Sequence, residues 1–137
     1  MMVPEIRSYA MNSYLCPEHT ILPLNTNINY RLYWKLTAVN ADGAANRFVF
    51  SDVNPGNICT PGFGVDMTLS YWIHYPSGMH NRRGVLSFAD SHVELHHWVN
   101  PLTLPQLNST GSYIGHGASA YGNEDLAWIA ERTTTTR

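Results

Sequence analysis

Apolar and polar positions alternate through residues 84–98, GVLSFADSHVELHHW, on both sides of Asp90 and Ser91, which is the pattern of a two-stranded hairpin. With Asp90 and Ser91 as the central pair of a tight turn, Ala89 falls opposite His92, Phe88 opposite Val93, Ser87 opposite Glu94, Leu86 opposite Leu95 and Val85 opposite His96. That register gathers Leu86, Phe88, Val93 and Leu95 on one face as the core set. Val85, Ser87, Ala89, His92, Glu94, His96 and Trp98 fall on the other. A slip of one residue would expose the apolar four, so the pattern predicts this register specifically.

Upstream, YRLYWKLTAV (30–39) and RFVFSDV (47–53) are rich in aromatic and β-branched residues around the turn-like NADGAAN, and they predict paired strands. MTLSYWIHY (67–75) predicts a third, and PSGMHNRRG leads into the hairpin. Helical spacing occurs in NEDLAWIAER (123–132). Asn123 is its N-cap, Glu124 and Asp125 lie in the first turn, Arg132 at the far end, and Leu126, Ile129 and Ala130 share one face. The expected architecture is one α+β, strand-dominated domain over residues 1–137. An extended arm (1–30) precedes an antiparallel sheet (30–100), a long loop (101–122), the short C-terminal helix (123–132) and a frayed tail (133–137).

The chain has 137 residues, enough for one domain with a real core. Its formal net charge is -2 and its eight Lys and Arg are scattered, so it offers no electrostatic footprint for nucleic acid. Charged residues are only 13% of the chain while Phe, Trp and Tyr make up 12%, a balance that suits a β-rich core and also the surface of an extracellular protein. No run of 18 apolar residues exists and the N-terminus lacks the pattern of a signal peptide, so the chain as it stands is expected to be soluble. Cys16 and Cys59 are the two cysteines. In an exported protein one bridge between them would close a loop of about 40 residues, worth about 3 to 4 kcal/mol; in a reducing compartment they are small hydrophobes.

Five ionisable side chains crowd into residues 90–97. His92, Glu94 and His96 lie at every second position, where two imidazoles and a carboxylate could supply three ligands of a metal site, although strand spacing puts neighbours about 6.5 to 7 Å apart. The plainer reading is a solvated strand face, and no metal or other cofactor is expected. Asp90 and Glu94 are the nearest pair of carboxylates and could act as acid and base, with His92 and His96 tuning them. Trp72, Trp98, Tyr71 and Tyr75 lie close in sequence to the Asp90/Glu94 pair and could form a binding platform for sugars. No nucleophile elbow, HExxH helix or phosphate loop is present.

His80, nine residues, Asp90 and then SHVE resemble the H-x9-D-G signature of pseudopilin-like proteins that carry a prepilin-type N-terminus. RSYAMNSYL, FSDVNPGNIC, HYPSGMHNRRGVLSFADSHVE and DLAWIAERTT resemble successive blocks of the verrucomicrobial branch of that family, over nearly the whole chain. Ser91 stands where the family has Gly, a more costly residue at a positive-φ turn position, and the family's hydrophobic N-terminal helix is not seen in this sequence. The resemblance implies a pilin-like head, an antiparallel sheet with long loops, working as a structural or interaction module of a filament or of a type II secretion system outside the cytoplasm. His80, Asp90, His92 and Glu94 are the motif residues it implies. A sheet without its covering helix is expected to form a homodimer, with a filament protein or a glycan as the other candidate partner. Two rival readings are a small hydrolase acting on glycosides through Asp90 and Glu94, and a glycan-binding module without turnover.

Overall fold

The computed structural model describes residues 8–17, 29–105 and 115–137. The chain is mixed α+β and strand-dominated, with a five-stranded sheet, a two-stranded sheet and a short C-terminal helix. The larger sheet has the order β3-β1-β2-β5-β6, where β1 is Tyr9–Asn12, β2 Phe48–Asp52, β3 Gly62–Phe63, β5 Arg83–Phe88 and β6 Val93–His97. All pairs are antiparallel except β1 with β3, which run parallel. The small sheet pairs β4, Tyr71–Trp72, with β7, Ala118–Ser119.

Register explains which side chains are buried. Ala10, Ser51, Leu86 and Glu94 form one row across β1, β2, β5 and β6, and the first three are buried. The adjacent row, Met11, Phe50, Ser87 and Val93, points the opposite way, as does Leu95 opposite Val85. The inner face packs against α2, Glu124–Thr133, whose Leu126, Ile129 and Ala130 join Phe48, Phe63, Leu86, Phe88 and Trp98 in the core. Asn123 caps this helix as expected: its side chain accepts hydrogen bonds from the Asp125 and Leu126 amides, both at 3.0 Å. Asp125 goes beyond its first-turn role, because its carboxylate also accepts from the Val99 and Asn100 amides and from the Thr103 hydroxyl.

The hairpin exists, but its register differs by one residue from the expected one. The Phe88 amide donates to the His92 carbonyl at 2.9 Å and the Ser91 amide to the Phe88 carbonyl at 3.0 Å, so the loop holds three residues, Ala89, Asp90 and Ser91. Ser91 takes φ 82°, the left-handed position that ends such a loop. One extra loop residue moves Val93 opposite Ser87 and Leu95 opposite Val85, which turns both out to 65% and 53% exposure. Leu86 and Phe88 remain in the core. What decides the outcome is Trp98, fully buried with Nε1 donating to the Ser77 carbonyl at 2.9 Å and its indole seated on Gly84, where a Cβ would come within 2.8 Å of the ring. Trp98 has the parity of Glu94 and His96, so burying it turns Val93 and Leu95 outward.

Five other expectations are corrected. Residues 30–39 do not pair as a strand with 47–53; the chain makes single bridges at Tyr30 and Tyr33 and then enters the short helix α1, Leu36–Ala41. The N-terminal arm contains β1, an interior strand of the larger sheet. The tail is also held in place: Thr134 Oγ1 donates to the Arg31 carbonyl at 2.6 Å, and the Arg31 amide donates to the Thr135 carbonyl at 2.9 Å. Within 67–75 the strand shortens to β4, and the expected loop contains β7 and a turn of 3-10 helix, Pro101–Thr103. Residues 1–7 and 18–28 of the arm and 106–114 of the loop lie outside the described residues. No helix among the described residues is long and apolar enough to cross a membrane.

Candidate functional site

The ionisable residues of the hairpin are arranged as separate pairs. Asp90 accepts from the His92 amide at 3.1 Å and pairs with His92 Nδ1 at 2.6 Å. These bonds hold its carboxyl below the usual range, the reverse of what a general acid needs. The His92 ring stacks on Phe88 at 4.3 Å. Glu94 lies 3.4 Å from His96 Nδ1. The His96 ring stacks on Trp128 at 3.5 Å, and burial there lowers its pKa against the opposing pull of Glu94. The Arg132 guanidinium lies 3.9 Å from the same indole. His92, Glu94 and His96 are therefore committed to local partners, and they are not among the described residues whose ligand atoms converge as a metal site would require.

The expected aromatic platform is mostly core. Trp72, Trp98 and Tyr75 are 1%, 0% and 3% exposed, with Trp72 stacked on Tyr75 at 5.6 Å, which removes three of the four rings from any sugar surface. Tyr71 is half-buried. His80 is exposed, and its charge acts on Asp52, whose carboxyl is pushed up to about 6 by burial despite the Val85 amide donating to it at 3.0 Å. Among the described residues His80 makes no hydrogen bond through its ring.

A second cluster, which the sequence did not reveal, brings together Cys59, His74 and His116. Cys59 follows the 3-10 turn Pro55–Asn57, whose N-cap Asn54 accepts from the Gly56 amide. The other two residues are placed by the small sheet: Tyr71 pairs with Ser119 and Trp72 with Ala118, and the same register carried two residues further sets His74 opposite His116. Cys59 Sγ lies 3.2 Å from His74 Nε2 and 3.4 Å from His116 Nε2, and the two rings meet edge to face at 4.9 Å.

The His74 tautomer follows from its surroundings. The Gly64 amide donates to His74 Nδ1 at 2.7 Å, and the His74 amide donates back to the Gly64 carbonyl at 3.3 Å. In the neutral ring the proton therefore sits on Nε2 and faces the Cys59 sulfur. Burial, with His116 as the lesser cause, lowers the His74 pKa to about 4, so the ring is neutral at ordinary pH. Both cysteines are free thiols and exposed, so the bridge between Cys16 and Cys59 is not formed. The three members of the cluster are 15 and 42 residues apart, with no spacing motif to join them. Only the composition, two cysteines and seven histidines, hinted at them.

Searches against protein-family models, curated proteins and solved structures each give no match to the chain.

Proposed function

We propose that the chain is a pilin-like globular head that works as a structural or interaction module, associating with a second copy through the outer face of its sheet and serving filament or secretion-apparatus assembly. The observation that carries this reading is the composition of that face. Tyr9, Phe50, Val93 and Leu95 are 58%, 45%, 65% and 53% exposed on one side of β1, β2, β5 and β6, with Met11 and Val85 among them. Apolar side chains exposed along a sheet face in this way, with Ser87 between Phe50 and Val93, mark a surface that functions covered. Twofold pairing buries such a patch against itself and closes at two subunits. The rival glycosidase and glycan-binding readings lose their support, because the aromatic rings they need are core and Asp90 is held ionised.

Light scattering coupled to size exclusion at micromolar concentration tests the reading. The wild-type chain is expected at about twice 15.4 kDa, and Leu95→Asp, which places a charge in the patch, is expected at the mass of one chain with its circular dichroism unchanged. A wild-type chain that stays monomeric would refute the association through this face.

A further inference from the structure

We propose that Cys59, His74 and His116 form a binding site for a zinc-class divalent transition metal ion, with a fourth position open to water. The donor set is one thiolate and two imidazoles, the borderline-soft chemistry that selects zinc, cobalt or nickel and disfavours calcium and magnesium, which take oxygen ligands. The three donor atoms lie within 4.8 Å of one another. Bonds of about 2.3 Å to sulfur and about 2.0 to 2.1 Å to nitrogen at tetrahedral angles put sulfur and nitrogen about 3.6 Å apart, and the two sulfur-to-nitrogen distances here are 3.2 and 3.4 Å. The two sulfur-to-nitrogen distances need to open by only a few tenths of an ångström to reach that value.

The elements that hold the ligands support the assignment. His74 is buried, and its amide donating to the Gly64 carbonyl fixes its backbone while Nε2 faces the Cys59 sulfur. Cys59 and His116 are exposed, which leaves an entry path and room for a fourth ligand from solvent. The ion would link the segment after the Pro55–Asn57 turn to the segment before β7.

Binding has a defined proton balance. The Cys59 thiol loses its proton to solvent as the S–metal bond forms. The His74 proton leaves Nε2, which bonds the metal, and Nδ1 takes up a proton in its place. Nδ1 can then no longer accept from the Gly64 amide, so Gly64 must shift. One proton is released per ion bound, and the Gly64 amide reports the event.

Cobalt(II) titration of the reduced, metal-stripped full chain tests the site. One equivalent is expected to produce a near-ultraviolet thiolate-to-cobalt charge-transfer band together with the visible bands of tetrahedral cobalt, and zinc is expected to abolish both. Zinc is also expected to protect Cys59 from iodoacetamide while Cys16 reacts unchanged, and to move the Gly64 amide resonance. Cys59→Ser should lose the charge-transfer band. His116→Ala, at an exposed position that leaves the fold intact, should weaken cobalt binding by about tenfold or more. A folded chain without the charge-transfer band, a band that survives in Cys59→Ser, or alkylation of Cys59 at the same rate with and without zinc would each overturn the metal site; the last would leave a histidine-flanked thiol that binds no ion.

Discussion

Asn12 shows how much of the fold depends on single buried amides. Its side chain is fully buried; Nδ2 donates to the Phe48 carbonyl at 3.0 Å and to the Thr133 carbonyl at 2.9 Å, and Oδ1 accepts from the Tyr14 amide at 3.0 Å. One residue thus ties β1 to β2 and to the last turn of α2. Asn12→Ala leaves two carbonyls and an amide buried without partners and is expected to cost about 2 to 4 kcal/mol in chemical denaturation. Asp52 carries the opposite kind of stress. Its carboxyl titrates near 6 in the folded chain against 3.8 in the reference state, so its contribution to stability is fully present below about 3.8 and is lost as pH rises through about 6. That difference corresponds to about 3 kcal/mol. Asp52→Asn is expected to be more stable than wild type at pH 7, with the gap closed by pH 4. A gap of the same size at both values would show that burial of the charge is not its origin.

Among elements, α2 was fully legible from sequence because its cap, first-turn acids and apolar face are all local. The strands at 48–52, 83–88 and 93–97 were legible for the same reason, and their mutual register was not. A two-residue and a three-residue loop both fit ADS, and the choice depends on whether Trp98 or the Val93/Leu95 pair is buried, which only the packing against α2 settles. Segment 30–39 misled because aromatic and β-branched residues suit strands. Its fate is decided by distant partners: Arg31 and the Tyr33 hydroxyl both bond Asp42 at 2.8 Å, folding the segment back on the end of α1. The cluster of Cys59, His74 and His116 was illegible because tertiary contacts assemble it: the β4–β7 register sets His74 beside His116, and Cys59 arrives from a separate loop. The observed hairpin makes a clear prediction. Phe88→Ala should cost about 3 to 5 kcal/mol, whereas Val93→Ala should cost less than about 1 kcal/mol. Ser91→Gly, which relieves a non-glycine residue at φ 82°, should gain about 0.5 to 1 kcal/mol. Equal losses at Phe88 and Val93 in urea titrations would restore the two-residue turn.

For the molecule as a whole, the last residues close the structure. Thr134, Thr135 and Arg137 bond Arg31 and Asn29, with the Arg137 amide 2.7 Å from the Asn29 carbonyl. Deleting residues 134–137 removes these bonds together and is expected to cost about 3 kcal/mol, seen calorimetrically as a fall in melting temperature of about 10 °C. A melting temperature unchanged by the deletion would mean that the tail lies on the fold without supporting it. The place of β1 has a kinetic consequence. β1 precedes every other described strand along the chain and sits between β2 and β3, whose partners for it, such as Asp52 for Tyr9 and Gly62 for Met11, are made much later. The β5–β6 hairpin closes over three residues, while β1 must wait for long-range loop closure. β1 can therefore dock into its interior slot only after β2 and β3 have been made, and until that slot exists the nascent chain carries Tyr9–Asn12 unpaired.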